Sequence, residues 1–99
     1  MPGRDIMVQA WYQGGISVWD FTNSRKPVEL GYWERGPISA TTFTSGGSWS
    51  AYWYNGYIYS NDIAKGVDVL QLKDWRTDIA RFFRTDRFNA QTQDNFLRW

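Results

Sequence analysis

The 99-residue sequence predicts an all-β fold with a short C-terminal α-helical tail, and three observations support this fold class. Between residues 5 and 72, short runs rich in Val, Ile, Trp and Tyr alternate with Gly, Asn and Pro at turn-sized spacing. Two stretches of this region correspond at an offset of 51 residues, a period typical of repeat proteins. From residue 73 onward, apolar residues recur with the 3.6-residue period of an amphipathic helix.

The β region divides into six predicted strands. They cover residues 6–12, 15–21, 28–34, 49–54, 57–62 and 66–72. The strongest turn signal is Asn55-Gly56, because both residues tolerate the positive φ angles of a type I′ turn between two aromatic runs. Gln13-Gly14-Gly15 predicts a second, looser hairpin connection.

Residues 41–48, TTFTSGGS, predict a surface connection between two similar units. Residues 7–21 align with residues 58–72 without a gap. The aligned pairs include Gly15 with Gly66, Ile16 with Val67, and Val18 with Val69. Several strands have apolar side chains on both of their faces. This pattern is typical of sheets that are covered on both faces, as in stacked blades or sandwiches.

The tail predicts one amphipathic helix that docks on the sheets through an apolar stripe. The stripe residues follow the spacing i, i+4, i+7 and i+8, and are Trp75, Ile79, Phe82 and Phe83. Either Asp74 or Thr77 caps the start of this helix. Residues from Asn89 onward predict a second short helix or a turn.

Composition excludes several classes of function. The sequence contains no Cys and no His, which removes disulfides, thiol nucleophiles, Cys/His zinc sites and imidazole general bases. No apolar run approaches the ~20 residues of a membrane span, and the N-terminus lacks the pattern of a signal peptide. The formal net charge is only +1. We therefore expect no cofactor, no nucleic-acid partner and no membrane span.

The tail also carries arginines and phenylalanines in a pattern that RNA-binding surfaces use. These residues are Arg76, Arg81, Arg84, Arg87, Phe82, Phe83 and Phe88. Acidic residues interleave with them, so we interpret the arginines as the solvated side of the docked helix.

Residues 15–31, GISVWDFTNSRKPVELG, resemble the repeat of the LVIVD-repeat β-propeller proteins. In that family a Gly opens an apolar strand that ends in Asp, a short turn follows, and a Pro-Val-Glu-Val-Gly strand completes the unit. The matching positions are Gly15, Ile16, Val18, Asp20, Thr22, Pro27, Val28, Glu29 and Gly31. Asn23 and Ser24 replace the usual Asp-Pro, and Asn still forms the Asx-turn that reverses the chain.

Residues 55–73 resemble the last repeat of such a protein, with Gly66 opening the inner strand. Gln71 stands in place of the Asp, and the Pro-containing turn is absent. Residues 78–93 are similar to the helical extension that follows the final repeat in secreted bacterial members.

The resemblance implies a partial β-propeller of about one and a half antiparallel blades, followed by a helical tail. The repeats would occupy residues 1–72, divided at about residue 40, and the tail residues 73–99. The fourth strand of the terminal blade would come from elsewhere. The implied partners are the remainder of the propeller or other copies of the chain, and the implied location is extracellular or periplasmic.

The densest functional feature is an aromatic cluster on two adjacent strands. Its members are Trp49, Tyr52, Trp53, Tyr54, Tyr57 and Tyr59, and Trp11, Tyr12 and Trp33 extend it. Alternation places Tyr52 and Tyr54 on one face and Trp53 on the other, so part of the cluster packs between blades. The remainder offers a stacking surface for sugar rings or peptide side chains. The leading candidate contacts are Tyr52, Trp53 and Tyr59.

Asp62 and Asp68 flank the loop of one hairpin and form the candidate pair of catalytic carboxylates. A glycosidase needs two such groups roughly 5 to 9.5 Å apart. The alternative is a pair of solvated loop charges. Together with Asn61 they are also a candidate partial Ca²⁺ site, although the spacing of an EF-hand loop is absent.

Four residues are assigned to structural turns: Asp20, Asn23, Asn55 and Gly56. Trp19-Asp20 matches the dipeptide of WD repeats, but the accompanying Gly-His is impossible without His. We expect Asp20 to accept hydrogen bonds from the backbone amides of Thr22 and Asn23.

These observations predict a non-catalytic interaction or scaffold module, the C-terminal part of an LVIVD-like propeller. The alternative is a carbohydrate-binding or carbohydrate-active propeller that uses the aromatic surface and the Asp62/Asp68 loop. The ligand would then be a glycan, or a peptide in the interaction-module case.

Overall fold

The computed structural model describes residues 1–86 and shows a mostly β protein. Its elements are β1 (Ile6–Trp11), β2 (Gly15–Asp20), β3 (Val28–Trp33), β4 (Ser48–Tyr54), β5 (Tyr57–Asp62), β6 (Gly66–Leu70) and one 3₁₀ helix (Trp75–Phe82). All six predicted strands are present, and their ends lie within two residues of the predicted ones. The prediction of a helix or turn from Asn89 lies outside the described residues, as do Arg87 and Phe88.

The strands form two antiparallel three-stranded sheets with the orders β1-β2-β3 and β4-β5-β6. Each sheet is a meander, because every strand pairs with the next one along the chain. Each sheet contains one register shift, between Val18 and Trp19 in the first sheet and between Ser48 and Ser50 in the second.

One small core joins the two sheets. The fully buried apolar strand residues are Ile6, Ile16 and Val18 from the first sheet and Ile58 from the second. Partly buried side chains surround them, among them Ala51, Trp53, Leu70 and Leu72. The faces that carry these residues are called the inner faces here, and the opposite faces of the two sheets the outer faces.

The outer faces remain largely exposed in residues 1–86. Exposed large apolar side chains on the outer face of the first sheet are Met7, Trp11 and Tyr32. Those on the second sheet are Tyr52, Tyr57, Tyr59, Val67 and Val69. Within residues 1–86 each sheet packs against the other on its inner face only, so the expectation of sheets covered on both faces stays a prediction about partners outside this chain.

The junction between the sheets lies at the end of the long connection from β3 to β4. The Gln13 backbone N–H donates to the Gly46 carbonyl at 3.1 Å, and the Ile63 N–H donates to the Gly47 carbonyl at 2.8 Å. Tyr12 forms an isolated β-bridge with Gly47. Gly46 and Ser48 are buried. The prediction of a surface connection is thus wrong for its last three residues, because they link the turns of both sheets.

The tail is a 3₁₀ helix rather than the predicted α-helix. Its end bonds span three residues, with the Thr77 N–H donating to the Asp74 carbonyl and the Phe83 N–H to the Ala80 carbonyl. Thr77 and Ala80 are buried, and Phe83 is half-buried, so the buried face follows a period of three.

The predicted stripe is wrong for the same reason. In a helix with three residues per turn, Trp75, Ile79 and Phe82 do not lie on the buried face. The side chains of all three residues are exposed. Asp74, one of the two predicted caps, is the residue that caps the helix. Its side chain accepts a 2.9 Å hydrogen bond from the Arg76 backbone N–H.

We expect Gly47→Ala to destabilise the protein more than Gly36→Ala. Both glycines have positive φ angles, of 87° and 77°. A Cβ at Gly47 would lie 2.1 Å from the Gln13 backbone nitrogen, whereas a Cβ at Gly36 meets nothing within 4 Å. Urea unfolding should give losses of about 3 kcal/mol or more and about 1 kcal/mol, respectively. Equal losses would contradict the assigned role of Gly47.

Candidate functional site

The outer face of the second sheet carries a ladder of tyrosines, called the tyrosine face here. Tyr52 lies directly opposite Tyr59, and Tyr54 lies opposite Tyr57. The rings of Tyr54 and Tyr59 are 6.4 Å apart and tilted by 54°. Tyr52, Tyr57 and Tyr59 are exposed. This arrangement presents several adjacent aromatic rings on one surface of a three-stranded sheet.

The β4-β5 turn fixes the register of this ladder. Asn55 and Gly56 have φ angles of 47° and 94°, and positive values at both positions are those of a type I′ turn. Val67 and Val69 extend the tyrosine face onto β6, where Val69 lies opposite Tyr59.

Trp53 does not belong to this surface. It lies opposite Ile58 on the inner face, half-buried against the core. The structure therefore brings together Tyr52 and Tyr59 among the three leading candidates, and it places Trp53 on the other side of the sheet.

Asp62 and Asp68 lie on the inner face and converge on one cation, Arg35. The Arg35 guanidinium hydrogen-bonds to Asp68 Oδ1, and Arg35 Nε lies 3.8 Å from Asp62 Oδ2. The side chains of the two aspartates are 4% and 10% exposed. Asp62 Oδ1 also accepts from the backbone N–H groups of Ala64 and Lys65, at 2.9 and 3.0 Å. Both carboxylates thus hold the hairpin and the β3-β4 connection in place.

The tyrosine face and the two aspartates occupy opposite faces of one sheet. Tyr59 and Asn61 alternate with Ser60 and Asp62 along β5, and Ser60 lies opposite Asp68. One ligand therefore cannot stack on Tyr59 and contact Asp62 at the same time. Asn61 likewise points away from Asp62, so the three residues do not converge on a common cation. No group of three metal-ligating acidic side chains exists within residues 1–86.

A cleft of about 300 Å³ lies between the two sheets beside Arg35. Trp33, Gln13, Lys65 and Asp62 contribute to its walls, and the Arg35 guanidinium lies 5.0 Å from the centre of the Trp33 ring. Arg35 is held by Asp68 and Asp62, and Lys65 is the remaining charged residue in the walls of the cleft.

Asp20 is buried at the end of β2, and its carboxylate contacts Thr22 and Arg4. Its carboxylate accepts 2.9 Å bonds from the Thr22 backbone N–H and from Arg4 Nε. The pKa of Asp20 is lowered to about 2. The main cause is hydrogen bonding from the side chain and backbone of Thr22, and the interactions with Arg4 lower the pKa further. Asn23 Oδ1 accepts from the Arg25 N–H, as in an Asx-turn.

Two arginines lie beside the Trp75 ring, one from the N-terminal segment and one from the 3₁₀ helix. Arg4 and Arg76 lie 5.4 and 5.7 Å from the Trp75 ring centre. Arg76 also forms a bidentate pair with Asp74, at 2.8 Å for both bonds, which lowers the pKa of Asp74. These arginines are therefore committed to partners within the chain.

Asn55 has a second role that sequence reasoning missed. Its side-chain amide donates to the Thr85 carbonyl and accepts from the Thr85 N–H, both at 2.9 Å. The Tyr54 hydroxyl donates to the same carbonyl at 2.9 Å, and Arg84 donates to the Asn55 carbonyl at 2.7 Å. The turn thereby anchors the segment that follows the 3₁₀ helix. The separation of 30 residues gives no local signal for this contact.

We expect Asp20→Asn to lower the free energy of unfolding near pH 6. The difference in this free energy between the variant and the original protein should become smaller as the pH falls from about 4 towards 2. Because the folded-state pKa of Asp20 is below its usual value, its charged form stabilises the fold above pH 4 and loses this effect on protonation. Urea unfolding across this pH range measures the difference. A gap that stays constant down to pH 2 would show that the charge of Asp20 contributes nothing.

We expect Asn55→Gly to keep the hairpin but release Thr85. Glycine tolerates the positive φ angle, whereas both side-chain bonds to Thr85 are lost. Amide hydrogen exchange should become faster at Thr85 and stay unchanged at Ile58, a fully buried core residue of β5. Unchanged exchange at Thr85 would contradict the anchoring role of Asn55.

Comparisons with protein-family models, with curated proteins and with solved structures give no match to the chain. Across residues 1–86, no helix is both long enough and apolar enough to cross a bilayer.

Proposed function

We propose that the chain is a non-catalytic interaction module that packs against β-sheets of its own kind. These sheets belong to the remainder of an LVIVD-like β-propeller or to other copies of the chain. The observation that carries this proposal is the imbalance between a core of four buried strand residues and two outer faces with exposed aromatic and aliphatic side chains.

The sheet edges support the same function. β3 and β6 are edge strands, and β6 (GVDVL) contains neither the Pro nor the Lys that commonly blocks pairing at an edge. Val67 and Val69 on this strand are exposed. A sheet with an exposed apolar face and an edge strand that lacks Pro and Lys fits a second sheet as its partner.

The environment of the acidic pair supports binding rather than turnover. Asp62 and Asp68 both contact Arg35, and Asp62 also accepts from two backbone amides, which supports a structural role for Asp62. The second carboxylate oxygen of Asp68, Oδ2, is buried without a hydrogen-bond partner within residues 1–86. The tyrosine face is separate from them, so it is proposed as a packing surface without chemistry of its own.

Hydroxyl-radical footprinting tests this function on the whole chain. As protein concentration rises, we expect oxidation of Tyr57, Val69 and Met7 to decrease, because partner sheets cover these residues. Phe43 is 94% exposed in the β3-β4 connection, and it serves as the internal control whose oxidation should not change. If the oxidation of Tyr57, Val69 and Met7 stays as independent of protein concentration as that of Phe43, the proposal is contradicted.

A second candidate function is carbohydrate binding by the tyrosine face, which the exposed cross-strand pair Tyr52 and Tyr59 favours. Titration with oligosaccharides should then shift NMR signals of this face, and Tyr59→Ala should abolish the shifts. Tyr32→Ala, on the other sheet, should leave them intact. The absence of shifts with every oligosaccharide would remove this candidate.

A further inference from the structure

The repeat of 51 residues is visible in the backbone of the two sheets. The offset carries Ile6–Trp11 onto Tyr57–Asp62, so β1 corresponds to β5 over its full length. It also carries Gly15 onto Gly66, which begin β2 and β6. These two glycines have positive φ angles of 78° and 96°. The β1-β2 and β5-β6 hairpins are therefore equivalent units.

Equivalent faces of the two hairpins differ in burial. Ile6, Ile16 and Val18 on the inner face of the first sheet correspond to Tyr57, Val67 and Val69 on the tyrosine face. The first three are at most 4% exposed, whereas Val67 is 66% and Val69 57% exposed. The face that the first sheet buries is thus the face that the second sheet leaves open.

The same correspondence identifies what would cover the open face. Within the chain, Ile58 of the second sheet joins Ile6, Ile16 and Val18 in the core. The residue equivalent to Ile58 in the first sheet is Met7, on the outer face and 43% exposed. Each chain therefore has two exposed faces that are unlike each other. The tyrosine face of the second sheet is equivalent to the first sheet's side of the core, and the outer face of the first sheet is equivalent to the second sheet's side.

We propose that a second copy of the chain docks head to tail, with the outer face of its first sheet on the tyrosine face. Met7 of that copy lies among Tyr57, Val67 and Val69, as Ile58 lies among their equivalents within one chain. The contact continues the sheet-to-sheet interface of the core, and it rests on the proposed interaction function. Because it joins unlike faces, each further copy extends a ring or an open chain.

Cysteine cross-linking tests this geometry in a chain that has no Cys of its own. Met7→Cys and Val69→Cys variants are prepared separately, checked for folding by circular dichroism, and treated with a short bismaleimide. We expect several-fold more dimer in the mixture than in either variant alone, with mass spectrometry showing one chain of each kind. Phe43→Cys mixed with Val69→Cys is the matched control and should give no such increase.

Four outcomes would overturn the inference. Dimers of Val69→Cys alone would mean that two tyrosine faces meet. A mixture without dimers, from a protein whose footprint is protected at high concentration, would refute the head-to-tail contact and leave the interaction function standing. A monomer whose Val69→Cys thiol resists maleimide would show that residues 87–99 of the same chain cover the face. Absence of both dimers and footprint protection would refute the inference and the proposed function together.

Discussion

The structure depends on the contact between the inner faces of its two sheets. The apolar face of a sheet must be buried against another element, and here that element is the other sheet of the same chain. That contact requires the backbones to approach closely at Gly47, where the turn of the first sheet crosses the start of β4. No side chain fits at this crossing, so the position of the core depends on a glycine.

The ion pairs of Asp20 and Arg35 hold connecting segments of the chain against the sheets. Asp20 ties β2 to the N-terminal segment through Arg4, and Arg35 ties the β3-β4 connection to the β5-β6 hairpin. These links stabilise the inner surfaces and the chain's connections. They leave the outer faces apolar and open, which is why the interaction function is assigned to the outer faces.

Local patterns in the sequence were sufficient for the strands and the tight turn, because alternation and Asn-Gly chemistry act over a few residues. The helical tail could not be predicted correctly, since the burial of Thr77 and Ala80 depends on the packing of the 3₁₀ helix, whereas the sequence shows an α-helical apolar stripe. The separation of Tyr59 from Asp62 does follow from strand alternation. The partnership of Arg35 with Asp68 does not, because it joins residues 33 positions apart.

The most direct test of the interaction account is the solution mass of the unmodified chain, measured by light scattering after gel filtration over a range of concentrations. Circular dichroism on the same peak establishes that the material is folded. The account predicts a β spectrum in assemblies of two or more chains of 11.6 kDa, either a closed ring or a series of lengths. A folded monomer at every concentration would contradict it, because the two outer faces would then be stable in water without a partner.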